Sequence, residues 1–131
     1  MDVVNLIMVM TGCALGGGSR YLIDLWWPYD PGLNELPIAI IGINIVGSAL
    51  AGAHLGLTVS VFPLAQVEQS NFFFVTGVLG GFTTFSAFSL QTLEMLLDGE
   101  PFLALANVGI SVVGGLLAAA LGFSVAQAIS A

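Results

Sequence analysis

The stretch LGGFTTFSAFS, residues 79–89, lies inside an apolar run and decides how the chain is read. Residues 69–93 around it are uncharged between Glu68 and Glu94, which reads as membrane. Yet these eleven residues hold two glycines, two threonines, two serines and three phenylalanines. Gly80-Gly81 predicts a helix break in mid-membrane, since glycine is a poor helix former. A break exposes backbone groups that lipid cannot satisfy, so protein, water or an ion must take them. Freed carbonyls are one way to hold Na⁺. A helix restarting after the break can be capped by Thr83 or Thr84, and its partly positive N-terminus favours anions. At about 100° per residue, Phe85 and Phe88 fall about 60° apart on one face, with Thr83 and Ser86 on a separate stripe. Phenylalanine edges are electropositive and can face an anion; the same two rings can equally serve packing alone.

Working outward, composition sets the class. Of 131 residues, 57% are hydrophobic and only 7% are charged, too few to cover a water-facing surface. There is no Lys, and Arg20 is the one fixed positive charge in a chain of net charge −7, which excludes phosphate-backbone binding to nucleic acid. No basic region precedes the first apolar run and no small-residue cleavage site follows it, so the first span is expected to be retained. Lone Cys13 excludes an intramolecular disulfide and reads as a small packing residue.

The charges mark the boundaries of an all-α integral membrane domain, 1–131, with four transmembrane helices over about 3–27, 36–62, 69–97 and 101–129, the third broken. Turn residues connect them: Pro28, Asp30, Pro31 and Gly32, then Pro63, then Asp98, Gly99, Glu100 and Pro101. Trp26, Trp27 and Tyr29 fit an interfacial belt. The loops contain no Lys or Arg, so the signal that orients membrane proteins is missing. Such a chain can insert both ways and pair with an inverted copy. Small-residue pairs suit close helix packing and oligomerisation, among them Gly12 with Gly16, Gly47 with Ala51, Ser48 with Gly52, and Ser111 with Gly115.

Polar residues inside the spans are few. Arg20 can snorkel or attract an anion at a vestibule. Asn44 can tie helices together or donate its NH₂ to an anion. His54, without a nearby carboxylate or thiol, reads as a neutral hydrogen-bonded side chain and not a metal ligand. Asn107 and Ser111, four apart, share a face. Ser19 has no credible base and no GxSxG is present, so the chain does not read as an enzyme.

The motifs GGGSRY (16–21), NIVGS (44–48) and GVLGGFTTFSAFS (77–89) resemble those of the Fluc/CrcB fluoride channels over the whole length. The resemblance implies a passive, fluoride-selective channel that exports fluoride across the inner membrane, built as an antiparallel dual-topology dimer with two pores. It implies that Phe85 and Phe88 line the pores, that Asn44 and Ser86 assist them, and that Arg20 and Ser111 serve the pathway. It implies a structural Na⁺ at the dimer interface, held by the backbone carbonyls of Gly80 and Thr83. The chain departs from the family pattern at Ala87 and Ile40, where Thr is common, at Gln91, where Glu is usual, and at Asn107, where Tyr is common. Some members work as heterodimers with divided sites, so the partner is a second copy or a paralogue. A small multidrug transporter also has four short spans, but the membrane-embedded Glu of that group is absent from residues 3–23.

Overall fold

The computed structural model describes residues 3–33, 35–61 and 64–130. Pro63, expected as the turn between the second and third spans, lies outside them. The described chain is helical, with four helices long and apolar enough to cross a membrane. Helix α1 is Val3–Trp26 and α2 is Ile38–Val61. The third crossing, Val67–Leu97, is assembled from α3 (Leu64–Ser70), a π-helical segment (Asn71–Leu79), α4 (Gly80–Phe82) and α5 (Phe85–Leu97). Helix α6, Pro101–Ser130, completes the bundle. At 1.5 Å per residue, the 24 residues of α1 or α2 reach about 36 Å, enough for a hydrocarbon core of about 30 Å.

Local chemistry sets the turns. The Asp30 carboxylate accepts from the Gly32 N–H at 2.9 Å and so shapes the connection after α1. Helix α5 ends in a Schellman motif. Glu100 N–H donates to the Met95 carbonyl at 2.8 Å and Gly99 N–H to Leu96, with Gly99 at φ +79°. Pro101 then opens α6, where its missing N–H costs nothing. The result is a tight antiparallel hairpin of α5 and α6.

Backbones approach closely where small residues meet. A Cβ on Gly52 would collide with the Ala119 carbonyl, and one on Gly122 with Ala49, which seats α2 against α6. Gly12 and Gly16 press α1 against the third crossing between Phe73 and Phe82. These glycines therefore pack helices within one chain, a use the sequence pattern does not separate from oligomerisation. Without a hydrophobic drive between helices in lipid, such van der Waals contact carries association. A small core joins Ile40, Ile43 and Phe88, with Ile23, Phe82 and Ala87 against it. Large apolar side chains such as Leu116, Leu121 and Ile129 face outward.

The third crossing corrects one expectation. Gly80 and Gly81 are helical; the extended residues are Thr83 (φ −78°, ψ 157°) and Thr84 (φ −149°, ψ 110°). The glycines serve contact instead, since a Cβ on Gly81 would lie 2.6 Å from the Cys13 carbonyl. What opens the backbone at the threonines is a side chain from α2.

Candidate ion pathway

That side chain is Asn44. Its Oδ1 accepts from the Thr84 N–H at 2.9 Å, and its Nδ2 donates to the Thr84 carbonyl at 3.2 Å. An amide thus satisfies both polar groups of an extended, buried residue, which membrane burial requires. The Thr84 hydroxyl caps α5 by accepting from the Ala87 N–H at 3.2 Å, and it lies 3.2 Å from the Ser86 Oγ. Of the two threonines that could cap, Thr84 is the one used. The Thr83 hydroxyl and N–H both donate to the Leu79 carbonyl, each at 2.9 Å.

These bonds redirect the helical ladder. In a continuous helix the Gly80 carbonyl would accept from Thr84 N–H, and the Thr83 carbonyl from Ala87 N–H. The first donor is taken by Asn44 and the second by the Thr84 hydroxyl. Gly80 and Thr83 therefore lose their usual donors, leaving hard oxygen atoms of the kind a cation such as Na⁺ prefers. No group of three His, Cys, Asp or Glu side chains is placed to hold a metal among the described residues.

Phe85 and Phe88 touch, with ring centroids 5.5 Å apart and planes tilted by 48°. Their surroundings differ: Phe88 is 9% exposed in the core, whereas Phe85 is 78% exposed. One ring faces the bundle and the other faces away from it.

A cleft of about 420 Å³ lies between α1 and α5, lined by Gly17, Arg20, Tyr21, Asp24, Thr84 and Ser86. Ala87 and Leu90 pass from it into a second cleft of about 410 Å³ that reaches Gln91, Tyr29 and Glu94. Gln91 Oε1 is buried without a hydrogen-bond partner among the described residues. At the outer rim, burial first and then the charges of Glu94, Asp98, Glu35 and Asp30 hold the Tyr29 phenol above its ordinary pKa.

Ser111 lies elsewhere, on α6. Its hydroxyl points to Asn107 Oδ1 at 3.5 Å; the Asn107 Nδ2 donates to Thr92 Oγ1 at 2.9 Å, and the Thr92 hydroxyl donates to the Phe88 carbonyl at 2.7 Å. Asn107 is fully buried. The structure thus gathers Arg20, Asn44, Phe85, Ser86 and Phe88 around Thr84 and joins Ser111 to them through this series of hydrogen bonds. Thr92 is missed by sequence reasoning; its spacing of four from Phe88 is the one signal that marks it. Towards the opposite end, His54 is hydrogen-bonded to Asn71 at 2.9 Å and stacks near Phe74. Cys13 contacts the Thr76 carbonyl at 3.8 Å, in keeping with a packing role.

Four apolar crossings folded around one polar cluster define a multi-pass helical membrane protein. The chain belongs to the CrcB-like family: the family described as "CrcB-like protein, Camphor Resistance (CrcB)" matches residues 7–123. It is 36% identical to the fluoride-specific ion channel FluC of Ruminiclostridium cellulolyticum, over 98% of this chain and 97% of that one. It is 39% identical to the protein of the same name from Methylocella silvestris, over 97% and 96%. Identity is 33% to that of Francisella tularensis, over 96% and 98%.

Proposed function

We propose that this chain is a subunit of a fluoride-selective passive channel that releases fluoride from the cytoplasm across the inner membrane. The observation that carries the reading is the cluster at Thr84, where Asn44, Ser86, Phe85, Phe88 and Arg20 meet beside two diverted backbone carbonyls. Near-full-length likeness to proteins named fluoride-specific ion channels supports it.

A fluoride ion leaving water must find replacement donors. The Ser86 and Thr84 hydroxyls supply O–H groups, the Asn44 amide keeps a second N–H beyond the one given to Thr84, and phenylalanine edges offer partial positive charge. Arg20 adds attraction at short range in low dielectric. The exposed Phe85 needs a second wall, which suits an antiparallel dimer with two pores, its third crossing divided at the threonines. When bound, Na⁺ on the Gly80 and Thr83 carbonyls would supply fixed positive charge at the dimer interface. Ser111 then serves the pathway from α6.

A heterodimer with a paralogue is the second reading, and one observation favours it. Ile40 and Ala87, where the family commonly has hydroxyls, belong here to one apolar cluster with Phe88. The polar track is thinner on this chain, and a partner with both threonines would complete it.

Liposomes carrying the purified protein and loaded with fluoride test this. Rapid fluoride loss to an electrode, without chloride loss, is expected from the chain alone or with a co-expressed paralogue. No fluoride movement in either case ends the reading.

A further inference from the structure

The cleft that holds Arg20 and Ser86 also holds a carboxylate. Asp24 stands one turn beyond Arg20 on α1, near enough for their charges to interact, and it lines both the inner and the outer compartment. Among the described residues, Asp24, Ala87 and Leu90 line both, so an ion moving directly from one cleft to the other passes beside Asp24. The other two are apolar and offer no compensation. The outer compartment adds Glu94 across from it, and Tyr29 at the rim sits among Glu94, Asp98, Glu35 and Asp30. Six of the eight carboxylates of the chain lie towards this end, against one fixed positive charge.

We infer that Asp24 sets the rate of anion passage, as a fixed negative charge at the junction between the Ser86 compartment and the rim. The inference rests on the channel reading above. The low-dielectric walls of a cleft focus the field of the charges that line it, so a like charge at the junction acts on a passing anion. Asp30, Glu35 and Asp98 are exposed, whereas Asp24 is half-buried, so salt screens those rim charges more. Asp24 also offsets part of the attraction of Arg20, the charge that would otherwise draw the anion in.

The test compares initial fluoride efflux from liposomes holding wild type, D24N or D24E. Potassium gluconate is set at about 0.01 M or about 1 M, where Debye lengths are about 30 and about 3 Å. D24N is expected to conduct roughly three- to tenfold faster than wild type at low salt, with the gap narrowing at high salt. D24E keeps the charge and stays on the wild-type side of that gap. Wild type itself is expected to speed up as salt rises, and more so than D24S, the neutral variant that replaces D24N in the comparison if D24N does not fold. A conducting wild type that slows with salt, or a folded D24N no faster than wild type, overturns the inference while leaving the channel reading intact. A wild type that moves no fluoride, alone or with a paralogue, instead removes the channel reading, and the inference falls with it.

Discussion

Asn44 and Thr84, forty residues apart, form a closed pair in which one side-chain amide answers both backbone groups of an extended residue. The pair locates the interruption of the third crossing more directly than the glycines before it. It also anchors α2 to the N-terminus of α5, where Ser86 and the two rings are carried.

Removing that amide should therefore cost stability as well as flux. Interhelical hydrogen bonds in membranes average about 0.6 kcal/mol, because groups freed by mutation usually find other partners. Thr84 is buried, and each backbone group left unsatisfied costs about 1–3 kcal/mol. N44A is expected to lose about 1–3 kcal/mol, read as a lower midpoint in a detergent thermal-unfolding assay, and to cut fluoride efflux at least about tenfold. N44D retains an acceptor for the Thr84 N–H and should fall between N44A and wild type in stability. An N44A protein that melts like wild type would mean that water replaces the amide without loss.

The two rings should separate in mutational effect although they touch. Phe88 belongs to the core with Ile40 and Ile43, so F88A leaves a cavity expected to cost about 3–5 kcal/mol. Phe85 is exposed on the single chain, and F85A should spare the unfolding midpoint of the individual chain while lowering flux. Unfolding in mild detergent and efflux from liposomes give the two readouts. Unchanged efflux in F85A would reduce that ring to a packing role.

Tyr29 gives the pH signature of the acidic rim. Its phenol is raised above 10.0 by burial and by the surrounding carboxylates. The native state then holds the proton more tightly than the unfolded chain. Stability from this group is present below the unfolded value and declines as pH rises from there through the higher native value. A phenolate absorbance titration in a Y21F background should show the Tyr29 midpoint above 10.0, moving down when Glu94 is replaced by Gln. A midpoint at or below 10.0 would show that the rim is fully hydrated and its charges screened.

Much of this architecture is readable along the chain because it is local. Charge-free runs between Glu68 and Glu94, and after Glu100, mark crossings by hydropathy alone. The Asp98–Pro101 turn carries its own chemistry, and helical spacing brings Phe85 to Phe88. What is not readable depends on partners distant in sequence. Whether Asn44 ties helices or faces an anion is open from spacing, and only the fold brings Thr84 to it. The same holds for Asn107 with Thr92, and for Gly81, whose lack of a side chain answers Cys13 across the helix pair and marks no break. Gly12 and Gly16 likewise announce close packing without naming the third crossing as their neighbour.

The π-helical turns from Asn71 to Leu79 bear on how such a chain can change over time. A π turn accommodates one more residue than an α turn, so it is the form an insertion takes when a helix absorbs it instead of rotating everything downstream. In an ordinary α-helix one added residue would swing Phe85 and Ser86 by about 100° away from Asn44 and Arg20. Placed upstream of the threonines, the wider segment acts as slack in the register. A residue added or lost within the wider segment could thus be absorbed there while the ring-bearing half keeps its alignment.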